Sequence, residues 1–280
     1  MDLHHAMGHD PLKRVLAWQI TCRLMDGPIG FRFVEDSKLF ATRGTTGATG
    51  NWYCGLHEVE EMAFVLHVLR PGEHFLDVGA NIGSYTVLAA AGAKARVTAV
   101  EPIPETFEKL QLNVSLNQLE SRVRSCLLGL SDREGVLRFS VGLDTVNHVL
   151  SAEEDVPGVD VSVTRLDDLV RGDCPHVIKI DVEGHEFAVL QGAVNTISNE
   201  RLMAVIMETN GSGQRFGRSD KDLFDVMQGY GFSPWRYDPF NRRLVEVRLG
   251  SANTIFVRHA AEVSERLRSA PVFRVGESKI

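Results

Sequence analysis

From residue 57 onward, short apolar runs alternate with amphipathic stretches, and this rhythm constrains the fold more than any other feature. Runs at 74–78, 96–100, 122–130, 176–180 and 202–208 have strand length and β-rich composition. Stretches at 58–69, 84–91, 104–117, 186–197 and 219–230 carry helical spacing between them. Strands that are apolar on both faces and separated by helices predict a largely parallel sheet covered on both sides. Residues 135–141 and 160–163 fit a hairpin. Closely spaced strands at 232–237, 244–247 and 253–257 predict an antiparallel edge.

The first 55 residues lack that rhythm. Asp10 and Pro11 suit an N-cap and first helical position, and an apolar stripe from Leu12 runs to about Met25. Two short strands, 31–34 and 38–41, flank Glu35 and Asp36. Residues 42–55 are rich in Gly and Thr and read as a loop. The expected division is therefore an N-terminal appendage or lid over 1–55, a main domain over 56–260, and a tail over 261–280 with a short helix and a frayed end.

Net charge narrows the function classes. Thirty Lys and Arg against 37 Asp and Glu leave −7, which disfavours a nucleic-acid surface and a polybasic membrane contact. No apolar stretch reaches membrane-spanning length. The opening MDLHHAMGHD lacks the basic start and apolar core of a signal peptide. Cys22, Cys54, Cys126 and Cys174 are too scattered for a zinc motif and fit a reducing compartment. A cytoplasmic location is the expectation. A homodimer is expected only from the prevalence of two-fold assemblies.

In an open α/β sheet, ligands bind beyond the carboxyl ends of the strands, where strand order reverses. The residues following each strand therefore carry the functional argument. After the first comes Asp77-Val-Gly79-Ala-Asn81-Ile-Gly83. Its glycines allow close backbone approach to a ligand, although a tight strand–helix turn needs them equally. It is neither GxGxxG nor a phosphate-binding P-loop. Glu101-Pro102 ends the second strand, 24 residues after Asp77, where an acid is placed to accept both hydroxyls of a ribose. Ser131 and Asp132 end the third, where they suit either an adenine or an ordinary turn. The fourth runs into Lys179-Ile-Asp181-Val-Glu183-Gly-His185-Glu186, and the fifth ends at Glu208. Such ionisable density at strand ends marks functional sites, although a helix N-terminus also favours acids.

The segments FLDVGANIGSYT, AVEPIPETFEKLQLNVSLN, GLSD, VTRLDDL, VIKIDVEGHEFAVLQGA and MET resemble the successive motifs of the FkbM family of S-adenosylmethionine-dependent methyltransferases. The resemblance covers about residues 56–257, and KIDVEGxE is its most distinctive part. It implies a class I methyltransferase fold, a Rossmann-like, seven-stranded, mostly parallel sheet with helices on both faces and an antiparallel last strand. It also implies methyl transfer to a hydroxyl of a sugar, polyketide or other secondary metabolite. At the matched positions, Asp77, Gly79 and Asn81 would line the methionine and ribose part of the cofactor. Glu101 would hold the ribose, and Ser131 and Asp132 the adenine. Asp181, Glu183 and Glu208 would lie near the reacting centre.

A hydroxyl acceptor needs a base. The candidates are His148, His185, Asp181, Glu183 and Glu208, with His148 in the segment GLDTVNHVLSAEED that would cover the acceptor. A surface-loop histidine and a helix-packing histidine are the plain alternatives. Asp181 and Glu208, with Glu183, also suit a hard divalent ion such as Mg²⁺. Lys179 is expected to pair with one of these acids. Trp52, Tyr53, Trp235, Arg236 and Tyr237 suit stacking on a carbohydrate ring or, equally, core and dimer contacts. The competing classes are an NAD-dependent oxidoreductase and a non-catalytic adenosyl-ligand-binding protein.

Overall fold

The computed structural model describes residues 11–24, 27–42, 44, 46–143, 146–151, 154–247, 253–276 and 278–280. Asp10 and Met25, the expected ends of the first helix, lie outside the described residues. The central sheet is built from β3 (His74–Val78), β4 (Arg96–Val100), β5 (Val123–Cys126), β9 (Val177–Ile180), β10 (Ala204–Glu208), β11 (Ser233–Asp238), β12 (Arg243–Glu246) and β13 (Asn253–Val257). Its order is β12-β11-β13-β10-β9-β3-β4-β5. The five strands from β5 to β10 are parallel, and β13 runs antiparallel to β10. The chain steps outward from β3 to β4 and β5, then returns to β9 on the other side of β3. That reversal is the switch point at which such sheets open a ligand crevice. The resemblance implies seven strands, whereas the sheet has an eighth, β12, paired antiparallel to the outer edge of β11. The extra strand follows from the short connection after Asp238, which returns Arg243–Glu246 alongside.

Alternation within strands divides the core between two faces. In β10, Ala204 and Ile206 face one apolar layer while Val205 and Met207 face the other. In β3, Phe75 and Leu76 divide the same way. Each fully buried large side chain contributes about 1.5–3 kcal/mol. One layer is covered by α3 (Val59–Val68) and α4 (Ser84–Val87), the latter continuing into a π-helical turn, Leu88–Gly92. On the other side lie α6 (Leu166–Val170), α7 (Glu186–Gln191), α8 (Val194–Ser198) and α9 (Asp220–Gly229). α5 (Pro104–Leu116) follows β4 and begins with Pro at its first position.

Several boundaries differ from the sequence reading. Residues 46–54 form a helix, α2 (Thr46–Cys54), where a loop was expected. Gly and Thr are weak helix formers, so side-chain bonds support it: the Asn51 amide donates to Gly47 O within the helix and to Ser84 Oγ in the core, and its oxygen accepts the His57 N–H just beyond the helix. The expected strand 122–130 splits, with β5 in the central sheet and β6 (Gly129–Leu130) in a separate sheet with β8 (Gly158–Thr164) and β7 (Gly135–Ser140). The expected helix 186–197 breaks at Gly192, where a Cβ would lie 2.1 Å from Ser131 O. The tail is not frayed. α10 (Ala260–Arg268) is followed by a hairpin of β14 (Arg274–Val275) and β15 (Ser278–Lys279), with Phe273, Val275 and Ile280 buried.

Val275 bridges Val34, joining this tail to the N-terminal hairpin β1 (Ile29–Arg32) and β2 (Lys38–Ala41). Apolar burial explains the docking, because both segments belong to the same buried layer as α3. The first helix, α1 (Pro11–Leu24), buries Trp18 in that layer. Among the described residues, no helix is long and apolar enough to cross a membrane.

Candidate active site

A cavity of about 240 Å³ opens at the carboxyl ends of β3, β4, β9 and β10. Asp77, Gly79, Asn81, Glu101, Asp181, Glu183 and Glu208 all line it. These side chains are distant in sequence, and the parallel strand ends bring them together.

The turn after β3 has two backbone requirements. Gly79 has φ 76° and a Cβ there would lie 1.8 Å from Asp181 O, so no side chain fits. Asn81 has φ 51°, and its Oδ1 accepts the Ile82 N–H at 2.7 Å. Asn tolerates this left-handed conformation better than other non-glycine residues, which explains its place where a glycine is common. Glu101 accepts the backbone N–H groups of Asn81 and Ile103, each at 2.9 Å. Burial nevertheless pushes its carboxyl up to about 7, against those two donors.

Asp77 is 1% exposed. Its Oδ2 accepts the Thr86 hydroxyl at 2.6 Å, while Oδ1 is buried without a hydrogen-bond partner among the described residues. Burial raises its pKa, and Lys179 and Thr86 oppose the rise. Lys179 stands beside Asp77 in the β3–β9 register. Its ammonium donates to Asp181 Oδ2 at 2.5 Å and lies 4.7 Å from the Tyr85 ring centroid. Burial pulls the Lys179 pKa down, but Asp181, Glu58 and Asp77 outweigh it and hold the ammonium above its ordinary range.

Asp181, Glu183 and Glu208 each offer an oxygen within 4.8 Å of the others. Burial, then Asp181 and Glu186, pushes Glu183 up to about 7. Burial, then Asp181, Glu183 and Glu186, pushes Glu208 up to about 8, and Glu208 Oε2 is buried without a partner among the described residues. The backbone turns sharply here, with Glu183 at φ 53° and Gly184 at φ 102°. Glu186 closes the turn by accepting the Val182 and Gly184 N–H groups at 3.2 Å. Two carboxyls that titrate near neutrality beside a paired lysine form a set able to take up a proton at neutral pH.

Other expected residues stand elsewhere. Ser131 and Asp132 are not on the cavity walls. They follow β6 in the small sheet, where Ser131 Oγ is 3.0 Å from His185 Nε2 and donates to Asp132 Oδ1 at 3.1 Å. The split of the third strand carries them away. His185 packs edge-on to Phe216, and burial lowers its pKa. His148 is buried off the walls, with Nδ1 2.8 Å from Val146 O and Nε2 2.9 Å from Glu154 Oε1. Its neighbour Asn147 does line the cavity. The aromatic set is absorbed by packing. Trp52 lies against Trp18 and Phe31, Arg236 pairs with Glu60, and the Tyr237 hydroxyl meets His67 Nδ1 at 2.7 Å.

The structure adds wall residues that the sequence did not single out. Thr46, Gly47 and Asn51 come from α2, and Glu58 precedes α3. Glu58 accepts the Tyr85 hydroxyl at 2.7 Å and the Asn253 amide at 2.6 Å. Tyr85 and Thr86 lie within the FLDVGANIGSYT segment, which the sequence reading used only for its turn residues. Glu58 had a weaker signal, an acid just before an apolar run.

Comparison with known proteins accords with this geometry. The profile described as Methyltransferase FkbM domain matches residues 77–234. Hexuronic acid methyltransferase AglP of Haloferax volcanii is 33% identical over 150 residues, covering 53% of this chain and 61% of that protein. The chain thus spans about three fifths of that relative's length. The 31-O-demethyl-FK506 methyltransferase FkbM of Streptomyces tacrolimicus is 28% identical over 200 residues, covering 59% and 74%. Among solved structures, TYW2 of Pyrococcus horikoshii in complex with MeSAdo aligns with a TM-score of 0.45 and 18% identity, over 83% and 70% of the two chains. The family profile covers more than half of the sequence, from the first strand-end acid to β11, and the chain belongs to the FkbM methyltransferase family.

Proposed function

We propose that this chain is an S-adenosylmethionine-dependent O-methyltransferase whose acceptor is a hydroxyl of a sugar or related polyhydroxy compound. The observation that carries the reading is the gathering of Asp181, Glu183 and Glu208 in the same cavity as the Asp77–Gly79–Asn81 turn and Glu101. The acceptor class is supported by the name of AglP, a hexuronic acid methyltransferase, and the transfer to oxygen by that of FkbM, a 31-O-demethyl-FK506 methyltransferase.

The residues fit the cofactor. Asp77 Oδ1 is a buried acceptor with no partner among the described residues, and the bare Gly79 backbone permits close approach. Each Glu101 oxygen uses one lone pair on a backbone N–H, which leaves acceptor capacity for ribose hydroxyls. Ile103 and Phe139 add apolar wall suited to a flat base. The cofactor, when bound, supplies an activated methyl on a sulfonium, so the protein needs to supply alignment and a base. Glu208 or Glu183 takes the acceptor proton, since a base that titrates near working pH is effective and typically contributes about 10²–10⁴-fold. Lys179 donates to Asp181 and holds it in place. His148, held by Glu154 beside Asn147, stays in this reading as a further candidate base.

A second reading is that Asp181, Glu183 and Glu208 hold Mg²⁺, favoured by the 4.8 Å clustering of their ligand atoms. Loss of turnover on chelation, restored by Mg²⁺, would select it. The proposal also includes a cytoplasmic homodimer that acts on a small molecule without nucleic acid or membrane.

The test is calorimetric titration of S-adenosylhomocysteine into the wild type, Asp77→Ala and Glu101→Ala. Micromolar binding that both substitutions abolish supports the cofactor site, and hydroxylated acceptors are then screened with and without Mg²⁺. A folded wild type that binds no adenosyl ligand sinks the proposal and directs the search to dinucleotides.

A further inference from the structure

One histidine on the cavity wall has no part in the chemistry derived so far. His57 lines the cavity in the short segment between α2 and α3, and it remains exposed. Its backbone N–H donates to Asn51 Oδ1 at 2.9 Å, but neither ring nitrogen has a hydrogen-bond partner among the described residues. The segment is pinned on both sides. Asn51 reaches Ser84 Oγ at 3.1 Å, at the start of α4. The next residue, Glu58, accepts the Tyr85 hydroxyl at 2.7 Å and the Asn253 amide at 2.6 Å. Asn253 stands opposite Glu208 in the β10–β13 register. In the sheet, β9 and β3 separate β10 from β4, which ends at Glu101. The bond to Asn253 therefore ties residues 57–58 to the Glu208 side of the crevice.

α2 makes room for the ring. A Cβ on Gly50, buried within that helix, would lie 2.5 Å from His57 Nδ1 and 2.6 Å from its Cγ. The imidazole thus rests directly on bare helix backbone. Cε1 is the next ring atom, at 3.0 Å, so Nε2 is turned further from α2. Glycine is among the weakest helix formers, and Gly50 is not one of the positive-φ glycines. The ring, rather than the backbone conformation, is what requires a glycine here.

We propose that His57 recognises the acceptor: its Nε2 hydrogen-bonds a hydroxyl of the sugar-type acceptor other than the one that is methylated, and Gly50 is the seat that holds the ring in place. This assignment rests on the methyltransferase reading and names what selects its acceptor. An imidazole suits the role, because its nitrogen either donates to a hydroxyl or accepts from one. A contact to a non-reacting hydroxyl is equally strong before and during transfer, so it sets KM and leaves kcat alone.

The test is steady-state kinetics of the full chain with S-adenosylmethionine and the methyl glycosides of glucuronic acid, galacturonic acid, glucose and galactose, followed on the glycoside that is turned over fastest. His57→Ala should raise the acceptor KM about tenfold, with kcat and the S-adenosylmethionine KM within about twofold of wild type. His57→Gln returns an amide near the place of Nε2 and should bring the acceptor KM back to within about threefold. Gly50→Ala should displace the ring and raise the acceptor KM about as much as His57→Ala. It should fold, because the ring it meets is exposed and can swing into solvent, and alanine is the better helix former. A thermal melt checks each variant. The double variant should be no worse than His57→Ala alone, since both changes remove one contact. An acceptor KM unchanged in folded His57→Ala overturns the proposal, as does an equal rise in the S-adenosylmethionine KM or a fall in kcat alone; each leaves the methyltransferase reading standing. A wild type that binds S-adenosylhomocysteine but methylates none of the glycosides overturns the sugar-type acceptor and the proposal together. A folded wild type that binds no adenosyl ligand removes the methyltransferase reading itself.

Discussion

Two walls line the cavity, and they are built in opposite ways. The sheet wall consists of strand-end residues, Asp77, Glu101, Lys179, Asp181 and Glu208, and it is charged. The appendage wall consists of Thr46, Gly47 and Asn51 on α2, and it is neutral. Parallel pairing positions the first wall, because β3, β4, β9 and β10 must end together for their ladders to form. Side-chain bonds position the second, chiefly those of Asn51 to Ser84 and His57. The sheet wall is therefore expected to define ligand binding, and the appendage wall to report the docking of residues 11–54 onto the core.

The largest expected effect is at the sheet wall's turn. Gly79→Ala would force a Cβ to within 1.8 Å of Asp181 O at φ 76°. It should cost about 4 kcal/mol or more and leave little folded protein in a thermal melt. A normal melt would show that this turn is looser than the comparison assumes. Next, Glu101→Ala should weaken S-adenosylhomocysteine binding about 100-fold by calorimetry. Asn51→Ala should lower stability by about 2 kcal/mol in denaturant melts and change that affinity by less than about tenfold. Equal affinity losses from the two would erase the distinction between the walls.

A smaller effect separates a base from a brace. Both ring nitrogens of His148 are engaged, by Val146 O and Glu154, off the cavity walls. His148→Gln is therefore expected to lower turnover of a methylated acceptor by less than about tenfold, with a measurable drop in melting temperature. A loss of about 100-fold or more at unchanged stability would make His148 the base. The smallest effect lies on α3. Burial, reinforced by Glu58, pushes Glu61 from 4.5 to about 7. A carboxyl raised on folding destabilises the native state as pH climbs from about 4.5 to about 7, and the full cost is present above that window. Glu61→Gln should then stabilise the protein by about 1–2 kcal/mol at pH 8, with the gain disappearing near pH 4. A gain independent of pH would show that the charge of Glu61 is not what costs stability.

The difference between the walls is also a difference in what could be read beforehand. Strand-end acids announce themselves locally, as an ionisable residue just after an apolar run, so Asp77, Glu101, Asp181, Glu183 and Glu208 could be named from the chain alone. Their partners were less accessible. Tyr85 and Glu58 are 27 residues apart, and nothing in either segment signals the hydroxyl–carboxylate bond between them. α2 was hidden because its Gly and Thr content argues against a helix, and the bonds that overrule that preference come from residues elsewhere. Ser131 and Asp132 show the reverse case. Their local pattern suits a ligand, and the main chain leaves the central sheet after Cys126, so they follow a strand of the smaller sheet, a placement that no local pattern signalled.

Periodicity and strand-end chemistry, which depend only on neighbours in sequence, determined the parallel sheet and the acids at its strand ends. Contacts between distant segments determined the rest: the packed tail, the appendage wall and the places of His148 and Ser131. Burial and hydrogen bonding between residues far apart in the chain leave no local pattern, so only the tertiary structure could decide them.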